Sequence, residues 1–232
     1  MALQNRRDLL YLVLSGFFVS NALLGEILGG KLIQIGPFTM SMGVVPWPVV
    51  FLTTDLINEY FGKPGVRRLT LLTVGLILYA FVVILVALQI PAARISPVDD
   101  ASFRTVLGQS LWIIVGSVTA FLISQLVDVF VFWAFRDRTR GRHLWLRATG
   151  STAVSQLIDT VVILGIAFWL PGKISGRDFW GLSLLNYSYK LGIAILLTPL
   201  IYAAHRGIDR FLGETESSRL MGEAVEKSHA SG

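Results

Sequence analysis

The chain has 232 residues, of which 53% are apolar and only 15% are Asp, Glu, Lys or Arg, with a net charge of +5. Soluble domains carry about a quarter charged residues, and the mean hydropathy here is +0.65, so a water-facing shell of ordinary polarity is excluded and an integral membrane protein is expected. The absence of cysteine excludes disulfides, thiolate chemistry and cysteine-type zinc sites; His143, His205 and His229 have no metal-ligand spacing, and no metal or other cofactor is expected.

A spanning helix needs about 20 mostly apolar residues. Six stretches qualify: 9–30, 38–60, 69–90, 106–135, 148–170 and 181–204. All are too long for barrel strands, so the class is all-α. The first is too long, and too poor in a small-residue cleavage site, for a cleaved signal peptide. Span 2 contains Pro46 and Pro48, which read either as a functional break or as a kink. Trp112, Trp169 and Trp180 fall near span ends and read as interface anchors. The polar residues from 213 on read as a loosely ordered tail, leaving 1–212 as a single six-helix transmembrane domain.

The loops orient the chain. Fourteen Lys and Arg fall on one side, in the N-terminus, the KPGVRR loop at 63–68, the RDRTRGRHLWLR run at 136–147 and the residues from Arg206 on. Five fall on the other side, and Lys190 lies within a span. The positive-inside rule places the richer side, and both termini, in the cytoplasm. The same count explains the pI of about 9.7 without nucleic acid as a partner; the lipid bilayer is the expected surrounding.

An ionisable residue in the hydrocarbon costs about 2.5–3.5 kcal/mol on the insertion scale. Glu26, Asp55, Glu59, Asp128, Asp159 and Lys190 all fall within spans. Glu26 and Glu59, near span ends, are expected to face lipid headgroups. Asp128 and Asp159 belong to a doubled motif: SQLVD at 124–128 and SQLID at 155–159. Spacings of three and four put Ser124, Gln125 and Asp128 on one helical face, and Ser155, Gln156 and Asp159 on another. Consecutive spans run in opposite directions, so the two copies are related by a two-fold axis in the membrane plane, as in inverted-repeat transporter sites. Asp128 and Asp55 each lie about 12 Å of helix from the basic side, and Asp159 about 18 Å. The three carboxylates can therefore converge at one level, with Lys190 as counter-ion to an aspartate. A second reading makes the motif a polar seam that only joins two helices. Full charges argue against that, since serine or asparagine joins helices at lower cost. Trp47, Phe51, Trp133, Tyr187 and Tyr189 are the aromatic candidates for stacking a flat ligand.

Four segments together carry a resemblance: FLTTDLINEYFGKPGVRR (51–68), SQLVDVFVF (124–132), STAVSQLIDTVVILGIAF (151–168) and NYSYKLGIAIL (186–196). The joint D-x-x-N-E-x-x-G-K, two Q-x-x-D helices and Y-x-x-K resemble the queuosine precursor transporter family, also called the vitamin uptake transporter family, over about 21–200. One departure lies in span 1, where the family often has a lysine soon after the asparagine and this chain has Glu26, with Lys31 at the exit. The resemblance implies six transmembrane helices in the bacterial inner membrane. It also implies import of 7-cyano- and 7-aminomethyl-7-deazaguanine, and of queuine, as precursors of tRNA queuosine.

The residues suit such a substrate. A 7-deazaguanine presents a ring N–H beside an exocyclic amine, two parallel donors that match one carboxylate. On this reading one of Asp128 and Asp159 takes the guanine-like edge, and the other takes the 7-substituent or balances Lys190. Gln125, Gln156, Asn186, Ser124 and Ser155 complete the polar lining; Asp55, Asn58 and Glu59 form a gate or coupling group. An intramembrane aspartyl protease is the enzyme rival, but its Y-D and G-x-G-D motifs are absent, as is H-E-x-x-H, so no enzyme is expected. The alternative transporter reading is a vitamin-binding subunit served by a separate ATPase, since the chain has no P-loop. Small-xxx-small pairs in span 1 could support a homodimer.

Overall fold

The structure is a computed structural model that describes residues 3–36, 38–140 and 142–230. Helix α1 (Leu3–Ile27) leads through a short 3-10 turn into a hairpin of β1 (Leu32–Ile35) and β2 (Phe38–Ser41). Then follow α2 (Trp47–Ala87), α3 (Asp100–Leu107), α4 (Leu111–Arg138), α5 (Leu144–Leu164) with a π-helical turn at Gly165–Trp169, α6 (Gly176–Leu212) and α7 (Glu214–Ala230). Five elements are long and apolar enough to cross a membrane. The longest, α2, is two helices joined at Gly62, whose φ of 73° and ψ of −177° are non-helical. Spans 2 and 3 of the sequence reading are these two halves.

The apolar surface is on the outside. Leu12, Phe17, Leu71, Val82, Phe130 and Leu196 are exposed, whereas Asn58, Glu59, Ser124 and Asp128 are buried. This reversal of the soluble pattern is what a hydrocarbon solvent selects.

The expected span 38–60 begins later than its hydropathy suggests. Residues 38–41 pair antiparallel with 32–35, with Leu32 opposite Ser41. Short apolar strands and helices are not separable by hydropathy alone. Pro46 caps α2 and Pro48 lies in its first turn, where a missing N–H costs no intrahelical bond. The two prolines therefore start the helix; they neither break nor kink it. Gly43 lets this entry lie against α1, because a Cβ there would come within 2.6 Å of Gly25 O.

Helices α4 and α5 form the most extensive pair. Small residues keep them close: a Cβ on Gly116 would lie 3.3 Å from Ala167, beyond the end of α5.

The expected loose tail is instead helical. Leu220 and Ala224 of α7 are buried, with Met221 and Val225 packed beside them, a one-face pattern at helical spacing. Glu214 and Glu216 lie in its first turn and Lys227 in its last, each on the side the helix dipole favours. Ser217 Oγ donates to Asp209 Oδ1 at 2.5 Å, and Tyr60 OH donates to the same oxygen at 3.2 Å. Arg7 of α1 lies 3.2 Å from Glu223. The Glu223 carboxyl is held below its usual range by the Lys227 hydrogen bond first, with Arg7 and Arg219 adding to it. Its contribution to docking is thus present near neutrality and lost as pH falls through that lowered value.

At its other end α7 covers the break in α2: the Lys63 backbone N–H donates to Ser228 Oγ at 2.9 Å. Only glycine takes the Gly62 conformation readily, and a Cβ there would fall 2.5 Å from Ser228 Oγ and 2.7 Å from Ala224 O. Gly62→Ala should therefore lower the thermal unfolding midpoint in detergent, by an amount corresponding to about 1–3 kcal/mol, and speed proteolysis within 214–230. An unchanged midpoint and digestion pattern would show that α7 is not held by this contact.

Candidate functional site

The doubled motif meets itself across α4 and α5. Ser155 Oγ donates to Asp128 Oδ1 at 3.0 Å, and Ser124 Oγ lies 3.4 Å from Asp159 Oδ1. Each serine reaches the aspartate of the other copy. As numbers rise along α4 from 124 to 128 they fall along α5 from 159 to 155, which is the register of an antiparallel pair. The two-fold relation expected from the sequence is thus present as a crossed pair of contacts.

The symmetry ends at the charges. Lys190 Nζ of α6 donates to Asp159 Oδ2 at 2.5 Å. Asp128 is 6% exposed and has no cation within ion-pair distance, and its Oδ2 has no partner among the described residues. One aspartate is therefore neutralised and the other left open.

The open one lines a small cavity with Trp47, Phe51, Thr54, Ser124, Gln125, Thr152, Ser155 and Gln156. Five of the eight residues expected to bind substrate are in this wall: Ser124, Gln125, Asp128, Ser155 and Gln156. Asp159 and Lys190 stand beside it as an ion pair. Asn186 is not part of it; its amide donates to Leu182 O on its own helix at 2.9 Å. The rings of Trp47 and Phe51 lie 6.1 Å apart and 23° from parallel. Trp47, Phe51 and Thr54 follow at helical spacing on one face of α2. Gln125 Nε2 reaches Thr54 Oγ1 at 3.4 Å, and its Oε1 has no partner among the described residues. Thr54 and Thr152 were not singled out in the sequence, where threonine in an apolar run carries no distinguishing signal. Of the other aromatic candidates, Trp133 is buried among Lys63, Arg136 and His229, and Tyr187 and Tyr189 are not in the wall.

Further along α2, Asp55 lines a neighbouring cavity with Leu52, Thr149 and Thr198. Phe51 and Thr152 belong to both walls. Asn58 is fully buried, and neither amide atom has a partner among the described residues. Glu59, expected at the headgroups, is 2% exposed. Arg147 Nε and Nη2 donate to its two oxygens at 3.0 and 2.8 Å, and Arg136 Nη1 lies 2.9 Å from Oε2. Both arginines counted as loop charges in the sequence, yet they turn inward at the facing ends of α4 and α5. The signal that could have found them is Glu59 itself, which needs cations at that depth. Glu59, Arg136 and Arg147 also line an open vestibule at the basic end, with His205, Arg206 and Arg210. Glu26 is buried as well, beside Ser117, rather than facing headgroups.

An apolar outer face around a charged, partly unsatisfied interior defines a multi-pass helical membrane protein organised about a polar centre. The chain belongs to the vitamin uptake transporter family: residues 41–204 match the family described as "Putative vitamin uptake transporter". It is 33% identical to the "Probable queuosine precursor transporter" of Bacillus subtilis (strain 168), over 77% of each chain. It is 29% identical to the "Queuosine precursor transporter" of Escherichia coli (strain K12), over 73% of this chain and 74% of that one. No solved structure matches the chain. The family is one of bacterial membrane transporters and not of enzymes.

The asymmetry of the two aspartates has a direct consequence for stability. Asp159→Ala strands a mostly buried ammonium and should cost about 3–5 kcal/mol, with much of that recovered when Lys190→Met is added. Asp128→Ala removes no ion pair and should be the milder change. A thermal double-mutant cycle in detergent checks this; equal losses at the two aspartates would refute the asymmetry.

Proposed function

We propose that the chain imports 7-deazaguanine precursors of queuosine, the 7-cyano and 7-aminomethyl forms and queuine, across the bacterial inner membrane. The observation that carries the reading is the open oxygen of Asp128 in a cavity walled by two near-parallel aromatic rings. The names of the relatives support the substrate class.

The lining chemistry suits this substrate class. The ring N–H and exocyclic amine of the substrate donate in parallel to Asp128. Oδ2 is free, and Oδ1 has a second lone pair beside the one Ser155 uses. The ring carbonyl takes the amide N–H of Gln125 or Gln156. The flat face lies against Trp47 and Phe51. Asp159 keeps Lys190 neutralised and holds the second motif in register. The aminomethyl form carries a cation, which the surplus of buried carboxylates favours. On the proposed orientation the vestibule opens to the cytoplasm, and Glu59 with its two arginines forms the gate between vestibule and cavity. Asp55 and Asn58 lie between gate and substrate.

Purified protein in liposomes tests this and the ATPase-dependent alternative together. The parent chain should take up labelled 7-cyano-7-deazaguanine with no other protein present, and Asp128→Ala should abolish uptake while remaining monodisperse. Uptake retained in Asp128→Ala would remove that residue from the site. Uptake only when an ATPase module is supplied would favour the subunit reading. The elution volume of the same preparation reports whether the chain is a homodimer.

A further inference from the structure

The buried charges of the interior do not balance locally. Asp159 is answered by Lys190, and Glu59 by Arg147 and Arg136. Asp55 and Asp128 have no cation within ion-pair distance among the described residues. Each is 6% exposed, and each has one carboxylate oxygen with no hydrogen-bond partner among the described residues. The cavities they line share Phe51 and Thr152, and the two carboxylates lie within electrostatic reach of each other. Asn58, one turn along from Asp55, adds a fully buried amide whose oxygen and nitrogen both lack a partner among the described residues.

Two ionised carboxylates cannot both persist in such a place. An isolated buried charge neutralises rather than bear its desolvation, and a like charge close by adds repulsion that a low dielectric magnifies. Something positive must join the pair. A metal ion is poorly served, because no group of three or more His, Cys, Asp or Glu is placed to hold one among the described residues. A proton needs only one of the free oxygens.

We infer that Asp55 and Asp128 share a bound proton, and that this proton is carried with the substrate as a second transported species. The inference rests on the substrate reading above for the coupling, though not for the proton itself. A substrate that donates two N–H groups to Asp128 requires that carboxylate to be ionised, so its arrival fixes the proton on Asp55. The groups around Asp55 then set its release. Asp128 faces it from α4, Arg147 from α5 and Glu59 from the next turn of its own helix. Among the described residues, only Thr198 and apolar side chains approach from α6, and α1 and α7 bring no ionisable group to either cavity. Around Asp128 stand Ser151 and Ser155 of α5. Asp55 lies on the vestibule side of the substrate. When Glu59 lets go of Arg147 on that side, the freed guanidinium draws Asp55 to its ionised form, and the proton leaves to the vestibule with the substrate.

Two experiments test this separately. Infrared difference spectroscopy of the purified full chain in lipid, titrated through neutral pH, reads protonated carboxyl groups without any substrate. A carboxylic-acid carbonyl band should be present at neutral pH, persist in Glu26→Gln and be lost or displaced in Asp55→Asn. A spectrum that Asp55→Asn and Asp128→Asn both leave unaltered overturns the shared proton. In liposomes holding a pH-sensitive dye, entry of 7-cyano-7-deazaguanine should acidify the lumen. An inward proton gradient should raise accumulation by about tenfold per pH unit at one proton per substrate. Asp55→Asn should lose both effects and Asp55→Glu regain lumen acidification, which separates a lost proton site from a misfolded chain. Accumulation that follows a sodium gradient and ignores the proton gradient overturns the coupling and leaves the substrate reading standing. A parent chain that binds neither 7-deazaguanine defeats the substrate reading, while the infrared band still decides whether the proton is there.

Discussion

Charge burial is the constraint on which this architecture depends. A helix in hydrocarbon tolerates a carboxylate only if a cation, a donor or a proton answers it. The chain answers Asp159 with Lys190, and Glu59 with two arginines from the facing ends of α4 and α5. These ties join α2, α4, α5 and α6 in a medium where apolar surface supplies no drive for helices to associate. What remains unanswered among the described residues, at Asp128 of α4 and at Asp55 and Asn58 of α2, lies in and beside two adjoining cavities.

The crossed serine–aspartate contacts show how a doubled motif closes on itself. Two near-identical motifs on antiparallel helices make a pseudo-symmetric frame, with crossed serine–aspartate contacts of 3.0 and 3.4 Å. One lysine from a third helix then breaks the equivalence. A free carboxylate is thereby held in place by the serine of the other copy and kept from the nearest ammonium, which is committed elsewhere. Aromatic rings from a fourth segment, the first half of α2, complete the wall. On the proposed reading the frame holds the planar ligand, and the gate lies further along α2, between Glu59 and its arginines.

Much of this was legible from residue spacing. The class followed from charge content, and the meeting of the two motifs followed from their spacing and the direction of consecutive spans. Asn186 was less predictable: a helical asparagine can bond its own backbone four residues back, and it does so here. Glu26 and Glu59 misled because distance from a predicted span end says little about which way a side chain faces. Arg136 and Arg147 misled for the same reason, since a count of loop charges cannot tell a lipid-facing arginine from one turned inward. The hairpin at 32–41 was hidden by its apolar composition. The α7 helix was hidden by an overall polarity that masked one narrow apolar face at Leu220, Met221, Ala224 and Val225.

Substrate recognition at this centre depends, on the proposed reading, on Asp128 being the open member of the pair. The most direct measurement is calorimetric binding of 7-aminomethyl-7-deazaguanine to detergent-purified protein, with Asp128→Asn and the Asp159→Asn, Lys190→Gln double variant alongside. The double variant keeps the ion pair's shape without its charges and should still bind, whereas Asp128→Asn should not, because an amide cannot accept two parallel donors on both atoms. Binding that survives Asp128→Asn and disappears in the double variant would place the ligand on the other half of the motif and contradict the central claim.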